Sequence, residues 1–147
     1  LLFLGLTKSG FSEKPVFSTF IAEDNTQGTF PCAPGDLILM SSGSAHVIGW
    51  ATFSRIYSTW EGKSLRLDDI YVVPDHRRTG VGSALLRTVV EVCRAMGCQR
   101  IDCCPTAENQ GLTRLLQKHG GTDLNKDGGW SLYQLGPDCV RKLEQRQ

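Results

Sequence analysis

The sequence predicts a mixed α/β fold in which helices pack on a mostly antiparallel sheet. Two β-branched and aromatic runs within residues 45–73, separated by a short polar turn, predict a β-hairpin. A glycine-bearing turn then leads into an amphipathic helix over residues 81–96, and a shorter strand and helix follow. Early hairpins and later β–α units combine in a mixed sheet flanked by helices. A chain of 147 residues is expected to form a single domain over residues 1–147.

The first half of the chain is expected to be rich in strands. Residues 16–22 are β-branched and aromatic and predict a first strand, and residues 45–57 and 64–73 predict the hairpin. Residues 23–44 are rich in Gly, Ser, Asp, Asn and Pro, and this length and composition predict a flexible insertion. The apolar island over residues 37–40 inside that insertion has no assigned partner.

The second half predicts helices that alternate with short strands. Apolar residues recur at helical spacing from Val81 to Met96, and Gly97 ends that helix. The remaining elements are a strand over 100–104, a helix marked by Leu112, Leu115 and Leu116 and ended by Gly120, a last strand over 130–135, and a polar tail over 138–147. Trp50 and Trp130 are assigned to the core.

Charge and hydropathy exclude several classes of protein. Sixteen basic and fifteen acidic residues leave a formal net charge of +1, so no basic field indicates a nucleic-acid partner. The apolar run over residues 1–6 is too short to span a bilayer and lacks the charged segment of a signal peptide. We therefore expect a cytoplasmic protein that binds neither nucleic acid nor membrane.

Cysteine spacing argues against a metal site and against a disulfide framework. The six cysteines form no CxxC pair and no cysteine–histidine spacing typical of zinc ligands. Those at positions 93, 98, 103 and 104 lie in apolar helix or strand contexts, where a reduced thiol packs as a small hydrophobe. We expect reduced core thiols and no metal.

The turn over residues 77–82, between the third strand and the first helix, is the segment most informative about function. Glycines at 80 and 82 let backbone N–H groups approach an anion, and the helix N-terminus adds donors and partial positive charge. Arg77 and Arg78 add forked donors suited to phosphate oxygens. A Rossmann turn is excluded because GxGxxG is absent, and a Walker loop because Gly-Lys-Ser/Thr is absent. The turn predicts a diphosphate site; the competing interpretation is a helix cap with solvated charges.

The motif Arg77-x-x-Gly80-x-Gly82 resembles the acetyl-CoA signature of the GCN5-related N-acetyltransferases (GNAT). Its surroundings are similar to the diamine (spermidine/spermine) acetyltransferases, and most to the branch that resembles thialysine Nε-acetyltransferase. The segments that carry this likeness are residues 48–51, 57–63, 67–72, 123–124 and 129–130. The resemblance implies the GNAT fold, with a twisted sheet whose strands splay apart. It also implies that the first strand and the helix lining the acceptor cleft are missing from the front of this sequence.

The resemblance further implies an acetyl-CoA-dependent N-acetyltransferase. The acceptor would be the primary amine of a small diamine or polyamine, or of a thialysine-like amino acid, and it would attack the thioester directly. A homodimer is expected, as in related enzymes. The cofactor-binding positions that the family pattern matches are Ile70, Tyr71, Val72, Val73, Arg77, Arg78, Thr79, Gly80, Val81, Gly82, Ser83 and Asn109. The backbone N–H groups of residues 70–73 are expected to face the pantetheine arm and the thioester.

Asp68 and Asp69 match the acceptor-amine site, where a carboxylate attracts the ammonium ion and takes its proton directly or through water. Neighbouring strand residues face opposite sides, so only one of the two points into the cleft unless a bulge intervenes. Ser58, Thr59 and Trp60 match the turn that selects the acceptor. Polyamine-specific relatives carry an additional acid at the position of Ser58, which disfavours a purely polyamine site.

Two departures from the family pattern matter. The family usually has a glutamate at position 68, and its general-acid tyrosine matches Leu116, which cannot protonate a thiolate. Loss of general-acid help, worth about 10²–10⁴-fold, predicts low or altered activity. The alternative hypothesis is a pseudoenzyme that binds acetyl-CoA, or that dimerises with an active relative, without turnover.

Overall fold

The computed structural model describes residues 15–24 and 46–144. The predictions for the opening run, for Cys32 and for most of the insertion, including its apolar island, lie outside these residues. The first two residues of the expected insertion, Glu23 and Asp24, belong to the first strand.

Four strands and three helices make up the described part of the chain. They are β1 (Phe17–Asp24), β2 (His46–Ser58), β3 (Gly62–Val72), α1 (Val81–Ala95), β4 (Arg100–Cys103), α2 (Gln110–Lys118) and α3 (Pro137–Glu144), with a 3-10 turn (Pro74–His76) before α1. The described residues group into two compact units, with the division between Leu112 and Thr113. A single catalytic domain over the whole chain stays a prediction.

The strands form one sheet in the order β1-β2-β3-β4. The pairs β1–β2 and β2–β3 are antiparallel and β3–β4 is parallel, which confirms the mixed, mostly antiparallel sheet. The β3–β4 pairing ends at Leu67 and Cys103, whereas β3 continues to Val72. Residues 68–72, here called the open segment of β3, therefore have no strand partner on the β4 side within the described chain.

Helix α1 covers one face of this sheet. Its apolar residues recur at helical spacing, and Leu85, Leu86, Val89 and Cys93 are buried. They meet strand residues such as Ala51, Phe53, Leu65 and Leu67, all of them nearly inaccessible to solvent. Alternate β2 residues face the helix, so Trp50, Thr52 and Ser54 lie on the opposite face of the sheet.

Two expectations for the C-terminal part are wrong. Residues 130–135 form no strand, and their large side chains are exposed, from 50% for Trp130 to 89% for Tyr133. β-Branched and aromatic residues indicate a strand only where a sheet edge pairs with them, so propensity alone misled here. Trp130 is likewise not in the core.

The polar tail expected after residue 138 is a helix instead. α3 begins with Pro137 in its first turn and Asp138 beside it. Proline is pre-organised for the first helical position, and an acidic residue there complements the helix dipole. Among the described residues, no helix is both long enough and apolar enough to cross a membrane.

Candidate functional site

Residues 77–83, here called the phosphate turn after its predicted ligand, comprise the link after the 3-10 turn and the first three residues of α1. Arg78 has φ 69° and Gly80 has φ 102°, so two residues of the turn adopt left-handed conformations. Gly80 is the N-cap residue of α1 and, because it has no side chain, it forms no side-chain capping bond. The first α1 bond from this turn runs from the Ala84 N–H to the Gly80 carbonyl at 3.0 Å. The N–H groups of Val81 and Gly82 precede this bond and lie at the positive end of the helix dipole, an arrangement suited to an anion.

Arg77 is folded back onto β3. Its Nε donates to the Val72 carbonyl at 2.9 Å, and its guanidinium lies 5.5 Å above the Tyr71 ring. Tyr71 in turn stacks on Trp50 with ring centroids 4.5 Å apart. The guanidinium thus binds the last carbonyl of the strand and packs on an aromatic ring, and its contact with a phosphate group stays a prediction.

In the open segment of β3, some backbone N–H groups point to the side where the pairing with β4 has ended. The Val73 N–H donates to the Ile48 carbonyl at 2.9 Å, so it faces β2. Because N–H directions alternate along a strand, Tyr71 also faces β2, while Ile70 and Val72 direct their N–H groups to the open side. Of the four backbone positions expected to face a cofactor, two have that orientation.

A β-bulge places both acidic residues on one face of the sheet. Thr52 is opposite Asp69 and Phe53 is opposite Leu67, so Asp68 is an extra residue without a partner on β2. The Ser54 hydroxyl donates to the Asp68 carboxylate at 2.8 Å, which fixes that side chain on the face away from α1. Asp69 shares this face because it is opposite Thr52. The bulge needed to place both aspartates on the same face is therefore present, and both carboxylates are exposed on that face.

The turn over residues 58–60 lies at the far end of the hairpin from the acids. Ser58 pairs with Gly62, six residues before Asp68, which corresponds to about 20 Å along the strand. Ser58 is buried, and its Oγ accepts from the N–H groups of Trp60 at 3.3 Å and Glu61 at 3.2 Å. Trp60 is 77% exposed. Within one chain, the structure does not bring this turn to Asp68 and Asp69.

Asn109 caps α2. Its Oδ1 accepts from the Leu112 N–H at 3.1 Å, as an N-cap side chain does. This capping bond by itself explains an asparagine at position 109. A contact between Asn109 and the cofactor arm remains a prediction.

Cys103 lies where β3 and β4 separate. Partial burial, the neighbouring Cys104 and the carboxylates of Asp68 and Asp69 raise the pKa of the Cys103 thiol to about 11. The prediction of core thiols is right for Cys93 and Cys98, which are buried, whereas Cys104 is exposed and Cys103 is half-buried. Within the described residues, no group of three or more His, Cys, Asp or Glu side chains is arranged to hold a metal ion.

We expect Cys103 to resist alkylation at pH 8. With a pKa of about 11 instead of 9.0, its thiolate fraction is about a hundredfold smaller, and the thiolate is the reactive form. Labelling with iodoacetamide followed by peptide mass spectrometry should modify the exposed Cys139 first. The Cys103 rate should rise with pH up to about 11; equal rates for the two thiols at pH 8 would contradict this assignment.

Three features of the site had no signal in the sequence strong enough to find them. They are the bulge at Asp68, the Ser54–Asp68 hydrogen bond and the return of Arg77 to the Val72 carbonyl. In the sequence, a serine next to an apolar aromatic residue, in a strand of ordinary composition, is indistinguishable from a solvated serine. The two consecutive aspartates were the only hint of an irregular strand.

Comparison with known proteins gives consistent relatives. The model of the "Acetyltransferase (GNAT) family" matches residues 10–121. A thialysine N-epsilon-acetyltransferase from Mus musculus is 33% identical over 96% of this chain and 76% of that protein. Its counterpart from Sus scrofa is 33% identical over 94% of this chain and 75% of its own length. A spermidine/spermine N(1)-acetyltransferase-like protein 1 from Homo sapiens is 26% identical over 88% of this chain and 17% of that protein.

Solved structures share the fold. An integron cassette protein from the mobile metagenome of V. cholerae has a TM-score of 0.57 at 19% identity, over 67% of this chain and 60% of that chain. AAC(6')-Iy in complex with the bisubstrate analogue CoA-S-monomethyl-acetylneamine has a TM-score of 0.52 at 24% identity. That alignment covers 65% of this chain and 64% of AAC(6')-Iy, less than two thirds of each.

Proposed function

The chain belongs to the acetyltransferase (GNAT) family, and on that premise we propose that it acetylates the primary amine of a small molecule. Acetyl-CoA is the acetyl donor of this family. The acceptor is a diamine or polyamine, or a thialysine-like amino acid. One observation carries the proposal: the open segment of β3 has two carboxylates at its beginning and the phosphate turn just beyond its end.

The phosphate turn and the open segment divide the binding of the donor between them. The left-handed Arg78 and Gly80, and the N-terminus of α1 with a glycine as its N-cap residue, fit the diphosphate of a nucleotide-linked thioester. The N–H groups of Ile70 and Val72 fit the amide-bearing arm and the carbonyl that receives negative charge during transfer. Bound acetyl-CoA supplies the thioester; the residues named here hold and orient it.

Asp68 and Asp69 act on the acceptor. Their carboxylates attract the ammonium form of the amine and accept its proton, directly or through water, so that the nitrogen lone pair becomes available. The amine then forms a C–N bond to the acetyl carbon while the C–S bond breaks. After C–N bond formation the nitrogen loses its second proton, the departing CoA thiolate takes up one proton through water, and the products are an amide and a free thiol. Holding both reactants on one strand contributes through proximity and orientation.

A second candidate is a pseudoenzyme that binds acetyl-CoA, or dimerises with an active relative, without turnover. Leu116 favours it, because the family's general acid is a tyrosine at this position and a leucine has no proton to give. The phosphate turn needs no residue of α2 to bind an anion, so binding without turnover is physically reasonable. The proposal of an active acetyltransferase, in contrast, also includes a homodimer and a cytoplasmic location.

Thiol release separates the two candidates. The protein is incubated with acetyl-CoA and with spermidine, spermine, thialysine or lysine, and free CoA thiol is followed against an amine-free control. Release above background with one amine supports acetyl transfer. Calorimetry that detects acetyl-CoA binding, together with no release for every amine, supports the pseudoenzyme. Absence of binding contradicts both candidates. The molar mass measured by light scattering after size-exclusion chromatography tests the homodimer.

Leu116→Tyr is expected to raise kcat about tenfold. In the family, a phenol at this position supplies a proton to the departing thiolate, and general-acid help is worth about 10²–10⁴-fold when fully positioned. Leu115→Tyr, at the adjacent half-buried position of α2, is the matched control and should leave kcat unchanged. An unchanged rate for Leu116→Tyr means that the proton comes from another group or from water.

A further inference from the structure

The hydrogen bond between Ser54 and Asp68 crosses the hairpin at an irregular position. Asp68 is the extra residue of the bulge, so β2 offers it no directly opposite side chain. Ser54 is opposite Arg66, two residues earlier on β3, and its hydroxyl reaches diagonally to the Asp68 carboxylate at 2.8 Å. This bond is the contact through which β2 restrains Asp68.

We propose that Ser54 is a positioning residue for the acceptor, because it fixes the Asp68 carboxylate and thereby aims the free oxygen at the incoming amine. This inference rests on the proposed function and adds a residue to it. The proton of the Ser54 hydroxyl is donated to Oδ2, so Oδ1 is left to accept from an ammonium group.

Restraint matters at this position because Asp68 is exposed. A solvated aspartate on a strand samples several rotamers, and a site that binds an amine must select one of them. A hydrogen bond to an ionised acceptor is short and directional, as the 2.8 Å distance is here. Ser54 therefore pre-organises the carboxylate before the amine arrives.

The same bond also determines how far the carboxylate reaches. The bond to the Ser54 hydroxyl keeps the Asp68 carboxylate close to the sheet surface. It also keeps the carboxylate on the same face as Asp69, which is opposite Thr52. The acceptor nitrogen is then held between two carboxylates near the backbone of the open segment. Without Ser54, Asp68 is free to turn toward solvent, and the two charges no longer converge.

Steady-state kinetics of Ser54→Ala tests this role with the amine of the panel that the wild-type protein acetylates fastest. We expect kcat/KM for that amine to fall about five- to tenfold, the value of one net hydrogen bond. KM for acetyl-CoA and the melting temperature should stay unchanged. Ser54→Thr keeps a hydroxyl on a residue suited to strands and should restore the acceptor constants.

Two controls make the result specific. Ser64→Ala removes a hydroxyl of the same hairpin that donates to the Gly62 carbonyl, so its acceptor constants should match the wild type. In an Asp68→Asn background, Ser54→Ala should add no further loss, since the two residues act as one unit. Equal acceptor constants for Ser54→Ala and wild type overturn the inference, as does a parallel loss for both cosubstrates with a lower melting temperature. A wild-type protein inert toward every amine defeats the proposed function itself, and with it this role of Ser54.

Discussion

Asp68→Asn is expected to lower kcat/KM for the amine about a hundredfold or more. The amide keeps the size of the side chain and can still bond to Ser54, but it neither attracts an ammonium ion nor accepts its proton. Acid–base help of this kind is worth about 10²–10⁴-fold. The affinity for acetyl-CoA, measured by calorimetry, should be unchanged because Asp68 lies at the opposite end of the open segment from the phosphate turn.

Asp69→Asn shows how the two carboxylates divide the work. If Asp68 is the proton acceptor, Asp69→Asn mainly raises KM for the amine and leaves kcat within about tenfold. Asp68→Glu, which restores the residue usual in the family, should retain activity. Glu91→Gln removes an equal charge from the exposed surface of α1 and serves as the control. Wild-type rates in both asparagine variants would remove the acids from the reaction.

Gly49→Ala is expected to destabilise the protein by about 2–3 kcal/mol and to lower its melting temperature by about 8 °C. A Cβ at position 49 would lie 2.6 Å from the Tyr71 carbonyl oxygen and 3.3 Å from Leu85 Cδ1. The first of these atoms is backbone in the middle of a paired sheet, so it cannot move aside without disturbing β3. To relieve this contact, β3 would have to shift at Tyr71 and Val72.

Thermal unfolding followed by circular dichroism measures this effect. Gly111→Ala in α2 is the matched control, because its added methyl meets only the Asn109 Oδ1 at 3.8 Å. Alanine is a better helix residue than glycine, so that variant should be neutral or slightly more stable. Equal melting temperatures for Gly49→Ala and the wild type would mean that the sheet yields at Tyr71 without cost.

Local sequence patterns predicted the strands and α1 well, because each carries a strong periodic signal and clear end residues. The hairpin over residues 46–72 and the helix from Val81 match their predicted positions within one or two residues. Gly97 has φ 70° and follows the helix, as a left-handed C-terminal glycine should. These features depend on neighbours in the chain.

What could not be predicted depends on contacts between distant residues. Which of Asp68 and Asp69 faces the site was undecidable, since a bulge is a mismatch between two strands and not a property of either. Residues 130–135 have an aromatic composition typical of strands, yet they form no strand, and none of the four described strands pairs with them. The assignment of the phosphate turn stays a prediction, and it needed only local signals, since helix termini and glycines bind anions through the backbone.

At position 78, backbone conformation and charge favour different residues. The Arg78 φ of 69° costs about 1 kcal/mol for a side chain that is neither glycine nor asparagine. Glycine would relieve that strain but remove a guanidinium from the phosphate turn. In a laboratory evolution experiment, selection for heat resistance alone therefore favours glycine or asparagine at position 78. Selection for use of a scarce acyl donor is expected to keep arginine, because the proposed diphosphate contact of Arg78 depends on its guanidinium.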